Sequence, residues 1–460
     1  MFALSARHRR RVLVADLIST AVFPLAITGS TAVVPAVTGG LPGADALGPW
    51  IVLAYNGLFA AALLLAGALA DRSARTRFFA IGNVVVAATG FASALAPDLV
   101  SLVALRAVAG IGAAMCAAGG SSMLLAVYPP EQRRRVYGYA GAVLGSSLAL
   151  GPLIAQALIA AGGWPLVFVA PGAVATVAAL STLTLPGLRS PAVSENFDGV
   201  GAALFGATVA TAVTALGLGF GAGIPWWVPV ALLLAAVVSA IRLVRVERRA
   251  PDPAIPIGLL RIPAYRAYAL ATGAFMGMLV VTLAVLPRLG SAQGIGAGEA
   301  AAVLSLLTVP STLLPLLAAR IARRWARPLV TTALLTCAVT AVVLQATNRP
   351  AALLLAAAVI GLCLGLTQGV PDGQALHYVP FERGGAGAAL FSTTRMSLET
   401  FTLAAATGLM AALGPSSGMA VAGAVCLIAA LAVRKAVPSR DARSQPGTPG
   451  TDTSGQATRR

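Results

Sequence analysis

Long apolar runs separated by short polar turns occupy most of the chain. A helix needs about 20 mostly apolar residues to cross a bilayer, and the runs have this length. Each run therefore predicts one membrane-spanning helix, and the predicted fold is an all-α integral membrane protein with 14 spans. Within a few residues, the predicted spans are 12–40, 47–70, 77–97, 99–127, 136–161, 164–186, 199–220, 225–244, 265–287, 299–319, 328–347, 350–371, 385–412 and 418–433.

The composition excludes the two main alternatives to a helical membrane protein. Of the 460 residues, 58% are hydrophobic and 10% are charged. Soluble domains carry about 25% charged residues, because a folded chain needs polar surface to stay in water. An outer-membrane barrel would show alternating polar and apolar residues, and the runs show no such alternation.

The formal net charge of +17 could indicate nucleic-acid binding, so the placement of the basic residues decides its meaning. Basic residues occupy the N-terminus and every second turn, whereas the other turns contain only Arg288 and Arg349. Cytoplasmic loops of membrane proteins are enriched in Lys and Arg. The charge therefore predicts topology rather than a nucleic-acid partner. It places both termini in the cytoplasm of a chain embedded in the lipid bilayer, and we expect that bilayer to be a bacterial inner membrane.

A charged turn joins predicted spans two and three and contains Gly67, Asp71, Arg72 and Arg75. The turn could simply anchor the topology. It could also act as a latch, because a carboxylate can accept hydrogen bonds from a helix N-terminus or an arginine in one conformation and lose them in another. A weak echo of the turn lies at residues 315–324, where Asp71 is replaced by Ala319. Two related halves are the usual construction of secondary transporters.

No arrangement of residues typical of an enzyme is present in the sequence. There is no phosphate-binding loop of the Gly-x-x-x-x-Gly-Lys type, and the two histidines have no catalytic partner at a meaningful spacing. The four cysteines are far apart in sequence and lack the spacing of a metal or redox motif. We therefore expect no enzyme activity, no cofactor and no metal site, and any energy for transport must come from an ion gradient or the substrate's own gradient.

Arg106 lies inside predicted span four, about 12 Å from its outer end at 1.5 Å per residue. A cation at such a depth is costly and by default marks a functional site facing a cavity or a partner. The alternative is a structural role in which the guanidinium is hydrogen-bonded to backbone carbonyls. We favour the functional interpretation.

Three further charges lie in or near the predicted spans. Arg395 and Glu399 are four residues apart and so share one face of span thirteen. They could form a self-neutralising ion pair, or Glu399 could be a protonatable carboxylate whose charge responds to substrate, and the sequence does not choose between these. Asp16 follows Arg11 closely and is expected at the membrane edge, mainly as a capping or topological charge, with a coupling role as a second possibility.

Four stretches together resemble a known family: residues 67–75, residues 102–114 around Arg106, the glycines Gly141, Gly145 and Gly151 with Pro152, and residues 387–395. They resemble the signature motifs of the major facilitator superfamily, and in particular of its fourteen-helix drug:proton antiporter branch. The resemblance implies a latch at Asp71, proton relay or cavity shaping by Arg106, and a bend in span five at Gly151 and Pro152.

The resemblance also implies an organisation and a function. Two pseudo-symmetric six-helix bundles, residues 1–186 and 264–437, would rock about a central site, with an inserted helix pair and connector at 187–263 and a disordered cytoplasmic tail at 438–460. The expected function is proton-coupled export of a small amphipathic organic compound by a monomer. An exporter of this kind needs a carboxylate whose protonation and substrate binding exclude each other; Glu399 is our first candidate and Asp16 the second.

The sequence departs from the family pattern at three places. Ala74 stands where the turn usually has glycine, and Ala155 and Gln156 replace a glycine pair. Ala26 stands where relatives carry an aspartate in the first span that is implicated in coupling. Ala26 therefore favours an alternative, a proton-independent facilitator or an uptake transporter. A sensor or scaffold that kept the fold is a third hypothesis.

Overall fold

The computed structural model describes residues 5–42, 47–185, 187–188, 199–218, 225–249, 257–294, 297–314, 325–346, 349–379 and 384–437. Within these ranges the chain forms 15 α-helices and two short 3-10 helices, Thr182–Thr184 and Ile257–Arg261. The helices are α1 (Ala6–Thr38), α2 (Trp50–Arg72), α3 (Arg75–Ala94), α4 (Leu99–Val127), α5 (Pro130–Gly162), α6 (Pro165–Ser181), α7 (Gly199–Leu218), α8 (Trp227–Glu247), α9 (Pro263–Ala292), α10 (Ala297–Leu313), α11 (Ala326–Ala346), α12 (Pro350–Thr367), α13 (Val370–Leu376), α14 (Gly384–Leu413) and α15 (Ser417–Ala436).

Among the residues that the structure describes, twelve helical segments are long and apolar enough to cross a membrane. They confirm an all-helical, multi-pass membrane architecture. The helices α5 and α10, at the places of the fifth and tenth predicted spans, are not among the twelve. The apolar part of α5 is the shorter stretch Leu150–Gly162, and α10 has 17 residues. The count of fourteen spans therefore stays a prediction.

Local signals explain where two of the helices begin. The carboxylate of Asp98 caps α4 by accepting a hydrogen bond of 2.7 Å from the backbone N–H of Ser101. This bond from the Ser101 backbone favours the charged form and lowers the pKa of Asp98. Gly163 follows α5 in the left-handed region at φ 87°, which glycine adopts without strain. Pro165 then begins α6, since proline suits a first helical turn.

The first six helices pack mainly on one another. α4 lies against α2 and α3, α1 against α5 and α6, and α3 against α6. Glycines permit the closest approaches: a Cβ added at Gly110 of α4 would collide with the backbone of Tyr55 in α2. Lipid tails are as apolar as the side chains, so the hydrophobic effect does not drive helices together in a membrane. They associate through such close van der Waals packing instead.

The pairing pattern recurs in the last helices of the chain. α10 packs on α12, α9 on α14 and α15, and α11 on α15. Again a glycine sets the approach, because a Cβ at Gly361 of α12 would lie 2.5 Å from the carbonyl oxygen of Leu307 in α10. The two groups of helices meet through α2 with α14, α5 with α10, and α1 with α9.

One predicted span is broken. The sequence predicts a continuous helix over 350–371, but α12 ends at Thr367 and the short α13 starts at Val370. Gly369 lies between them with φ 79°, a left-handed conformation that interrupts the helical ladder. α13 packs against α9, α11 and α14.

The predicted inserted pair consists of α7 and α8, and it contacts both groups of helices through α7. This helix packs against α2 and against α14, and a Cβ at Gly206 of α7 would lie 2.9 Å from the carbonyl oxygen of Ala61 in α2. α8 packs on α7, where the Ser239 hydroxyl donates a 3.1 Å hydrogen bond to the carbonyl of Leu204. Residues 250–256 of the predicted connector, the repeat at 315–324 and the predicted tail at 438–460 lie outside the described residues.

Candidate functional site

The site begins with Arg106, whose side chain is only 3% exposed within α4. Its Nε donates a 3.2 Å hydrogen bond to the carbonyl oxygen of Ile51 in α2. Its Nη2 donates a 2.9 Å bond to the carbonyl oxygen of Ala26 in α1. The guanidinium carbon lies 4.2 Å from the centre of the Tyr55 ring and 5.7 Å from that of Phe168.

These contacts make Arg106 a cross-link between four helices, α1, α2, α4 and α6. A guanidinium is planar, always charged and able to stack on aromatic faces, so it can satisfy two carbonyls and two rings at once. The arrangement corresponds to the structural alternative considered for this residue. The role of Arg106 in coupling stays a prediction.

Asp16 is not at the edge of its helix. α1 begins at Ala6, so Asp16 lies ten residues inside it, about 15 Å along the axis. The side chain is 6% exposed and packs so closely on Gly120 of α4 that a Cβ there would overlap its Oδ1. Asp16 therefore does not cap the end of α1, because the helix begins ten residues earlier and α4 covers the carboxylate. Its place at the membrane edge stays a prediction.

Glu399 is buried in α14, with 5% of its side chain exposed. Arg395, one turn earlier, is partly buried. The two groups interact electrostatically, but within the described ranges no ion pair of 4 Å or less is formed by Glu399. The side chain is therefore not neutralised by direct contact with Arg395 in this conformation.

The surroundings of Glu399 place it beside the meeting surface of the two groups of helices. On one flank, Leu398 and Thr402 pack on Gly273 and Gly277 of α9, where an added Cβ would meet each of them at 2.8 Å. On the other, Leu403 and Thr407 follow Glu399 at one-turn intervals, so they lie on the same side of α14. Both line a cavity shared with α1, α2 and α9.

That cavity contains a charge which the sequence pattern misassigned. Arg288 was expected in a turn after the span 265–287, but α9 continues to Ala292. Its side chain lines the cavity together with Thr31 and Val34 of α1, Val52 of α2, and Leu403 and Thr407 of α14. The cavity thus combines a cation, two hydroxyl side chains and apolar walls from both groups of helices.

The charged turn at residues 67–77 contacts the segment that follows α6. The backbone N–H of Arg75 donates a 2.9 Å hydrogen bond to the carbonyl of Leu188, and the N–H of Leu188 donates a 3.1 Å bond to the Thr76 hydroxyl. A Cβ added at Gly67 would meet nothing within 4 Å. The side chain of Asp71 lies outside the description, and Arg72 is exposed. The latch stays a prediction.

The predicted antiporter motif lies in α5. Gly145, Gly151 and Pro152 all fall within this helix, which continues past Pro152 to Gly162. Gly151 and Pro152 are buried. Proline inside a helix removes one backbone hydrogen bond and favours a bend. Pro152 is therefore a residue suited to the predicted bend, and the bend itself stays a prediction.

Two groupings were not anticipated from the sequence. Asp372 of α13 accepts a 2.8 Å hydrogen bond from the Thr272 hydroxyl of α9; the Gly369-Val370-Pro371 break beside it was the available signal. Cys337 interacts electrostatically with Cys363 and Cys426, although their sequence spacing suggested isolated residues. No group of three or more His, Cys, Asp or Glu in the described ranges could hold a metal ion.

Comparison with known proteins identifies the family. The model of the Major Facilitator Superfamily matches residues 17–395 and 267–458 of the chain. The chain belongs to the Major Facilitator Superfamily. The match confirms the resemblance stated from the four sequence motifs, and the superfamily is one of membrane transporters rather than enzymes.

Curated relatives of this superfamily member include a probable transporter and two resistance proteins. A probable actinorhodin transporter from Streptomyces coelicolor is 30% identical over 58% of this chain and 48% of its own length. A methylenomycin A resistance protein from Bacillus subtilis is 31% identical over 54% of each chain. A puromycin resistance protein from Streptomyces alboniger is 30% identical over 49% of this chain and 45% of its own. The matches thus span about half the length of the curated relatives.

Solved structures agree on the fold. A transporter of the POT family in complex with a thioalcohol-conjugated peptide aligns with a TM-score of 0.69 at 14% identity, covering 93% of this chain and 95% of that one. A peptide transporter POT mutant in complex with sulfate aligns with a TM-score of 0.67 at 16% identity, covering 92% of this chain and 93% of that one. At sequence identities this low, the structural similarity indicates a shared fold and nothing about function.

Proposed function

We propose that this protein is a secondary active transporter which exports a small amphipathic organic compound in exchange for protons by alternating access. The observation that carries this proposal is the burial of Glu399 in α14, a helix that packs against both α2 and α9. Charged side chains inside a membrane protein are costly and commonly mark proton relays or substrate pathways.

Glu399 has the properties that exchange requires. An ionised carboxylate in a buried site is costly unless it is paired, so its protonation state should depend on what lies near it. It occupies the same side of α14 as the two cavity-lining residues Leu403 and Thr407. A substrate or water entering along this side would change the surroundings of the carboxylate, which links occupancy of the cavity to proton binding. Asp16 remains the second candidate.

The proposed architecture consists of two pseudo-symmetric bundles, residues 1–186 and 264–437, with the pair α7 and α8 inserted between them. The recurrence of the α2–α4, α1–α5 and α3–α6 contacts as α10–α12, α9–α14 and α11–α15 supports it. Alternating access by related halves around a central site is typical of such transporters. We place both termini in the cytoplasm, from the distribution of basic residues, and expect a monomer.

The direction of transport and the substrate class rest on the relatives. Two are named as resistance proteins and one as a probable transporter, which supports outward transport of a drug-like compound. A proton-independent facilitator or uptake transporter is the second candidate. Ala26 favours it, because this position offers only a backbone carbonyl, bonded to Arg106, in place of a carboxylate.

Two experiments in sequence test the proposal. Cells expressing the chain, compared with an empty-vector control, should tolerate higher concentrations of at least one compound in an antibiotic and dye panel. That compound should then be transported by purified protein in proteoliposomes with an imposed pH gradient. Flux that follows the gradient, and stops when a protonophore dissipates it, is the expected result. Flux indifferent to the gradient would identify a facilitator instead.

A further inference from the structure

The cavity between the two groups of helices contains one charged side chain, Arg288, among the residues that line it. We propose that this cavity is a subsite for the anionic group of an amphipathic substrate, with Arg288 as the residue that binds it. The proposal rests on the proposed transport of organic compounds, and it adds the chemical class of the compound.

The first step of the argument is the state of the guanidinium. Arg288 is partly buried in α9, where desolvation makes an unpaired cation costly. In the part of the chain that the structure describes, it forms no ion pair within 4 Å and no hydrogen bond. Its five N–H donors are therefore available to a carboxylate, sulfonate or phosphate, which a guanidinium binds in a bidentate manner.

The second step concerns the other polar groups of the cavity. The Thr31 hydroxyl donates a 3.1 Å hydrogen bond to the carbonyl of Ile27. The Thr407 hydroxyl donates bonds of 3.0 and 2.9 Å to the carbonyls of Leu403 and Ala404. Because both protons are directed at backbone carbonyls, Arg288 is left as the donor for a ligand in this cavity.

The third step concerns the apolar part of the ligand. The rest of the wall offers contact area but no side-chain hydrogen bonds, and it is formed by Val34, Pro49, Val52, Ala284 and Leu403. A site with apolar walls and one well-placed charge fixes the orientation of an amphipathic ligand. The cavity volume is about 30 Å³, which is room for an anionic group. The expected ligand therefore places one anionic group there and extends an apolar body from the opening of the cavity.

The two groups of helices share this subsite. α1 and α2 contribute one wall, whereas α9 and α14 contribute Arg288 and the other. An anion held by Arg288 against α1 and α2 would be released when the groups separate at this end, so the contact could follow the transport cycle. Such dependence on conformation is required of any ligand that drives or follows a conformational change.

The test is calorimetry of the purified full-length protein in nanodiscs with a matched pair of probes, 2-naphthoate and its neutral amide, 2-naphthamide. We expect the protein to bind naphthoate roughly tenfold more tightly, the lower limit for a charge-assisted hydrogen bond. Arg288→Gln should abolish the preference and leave the affinity for naphthamide unchanged. Arg288→Lys should keep part of it, since charge remains but the planar fork is lost.

Arg349→Gln is the matched control, because Arg349 is exposed beside α12 and is the other basic residue predicted at this side of the membrane. It should leave the naphthoate preference intact. Equal affinity for the two probes in the unmodified protein, binding of neither, or a preference that survives Arg288→Gln would each overturn the proposal. Binding needs no gradient, so a preserved preference without pH-driven flux would contradict proton-coupled export and leave the anion subsite standing.

Discussion

The two groups of helices hold their buried charges in different ways. In the first, the Arg106 guanidinium has backbone carbonyls from two helices and two aromatic rings around it. In the second, Glu399 is equally buried, but it has no direct ion pair within the described residues and only a longer-range interaction with Arg395.

The difference separates a charge that is fixed from one that can change. An arginine cannot lose its proton in a protein. The hydrogen bonds of Arg106 to two backbone carbonyls also hold its guanidinium in place. A buried carboxylate without a fixed partner can be neutralised by a proton at modest cost. The comparison therefore favours a packing role for Arg106 and supports the proposed proton exchange at Glu399. Asp16 resembles Glu399 in burial, but it packs on Gly120 between α1 and α4, away from the cavity-lining side of α14.

The largest expected effect is that of Glu399→Gln. The amide keeps the shape of the side chain but cannot take up or release a proton, so pH-driven efflux should fall to the level of protein-free liposomes. Expression and thermal stability should be retained, because the ionised form is the costly one in a buried site. The measurement is substrate flux in proteoliposomes with an imposed pH gradient.

Glu399→Asp is the matched control, since it keeps the carboxylate and should keep part of the coupled flux. Asp16→Asn provides the second comparison and should leave most of it. Undiminished efflux by the glutamine variant would reduce Glu399 to a structural role. Loss with Asp16→Asn alone would move the exchange site to the first group of helices.

Arg106→Lys should produce the next largest effect, on stability rather than on coupling. Lysine keeps the buried cation but cannot reach two carbonyls and two rings at once, so the free energy of unfolding should fall by about 2–3 kcal/mol. Arg395→Lys is the matched control in the second group and should change stability by less than about 0.5 kcal/mol. Thermal unfolding in the same detergent measures both. A similar loss from the two variants would remove the distinction between a fixed and an unfixed charge.

The sequence predicted the helices better than it predicted the surroundings of their charges. Apolar length is a local property, so α4, α7 and α15 were found within a few residues. Arg288 was misplaced because a charge near the end of an apolar run is interpreted as a boundary. In the structure α9 continues past Arg288 to Ala292. Asp16 lay within the predicted span, but its burial depends on packing against α4.

The partners of Arg106 could not be found from the sequence at all. Its acceptors are the backbone carbonyls of Ala26 and Ile51, and every residue has a carbonyl, so no residue type marks them. The break before α13 was visible as Gly369 followed by Pro371, yet the hydropathy pattern joined the two pieces. Spatial neighbours such as Cys337 and Cys363 depend on helix pairing, which apolar periodicity does not specify.

Gly120→Ala should have a smaller effect than Arg106→Lys. The new Cβ would overlap the Asp16 carboxylate and lie 3.3 Å from the Phe79 ring, and such overpacking costs about 1–3 kcal/mol. Gly67→Ala is the matched control on α2, where the Cβ meets nothing within 4 Å. That variant should be neutral or more stable by up to about 1 kcal/mol, because alanine favours helix. Thermal unfolding of both variants checks the pair, and equal destabilisation would contradict the packing at Asp16.

The smallest expected effect compares the charged turn with its echo. Only the first copy has the acid, Asp71, whereas the second has Ala319 beside Arg320. If a latch depends on that carboxylate, Asp71→Asn should lower pH-driven efflux about fivefold, equivalent to the ~1 kcal/mol of an exposed ionic contact. Arg320→Ala should leave efflux unchanged, because its turn lacks the acidic partner. Stability should not change in either variant, so flux normalised to folded protein is the measurement. Equal losses from the two variants would mean that the turns serve both groups of helices alike, and the contrast between the groups would then be confined to Arg106 and Glu399.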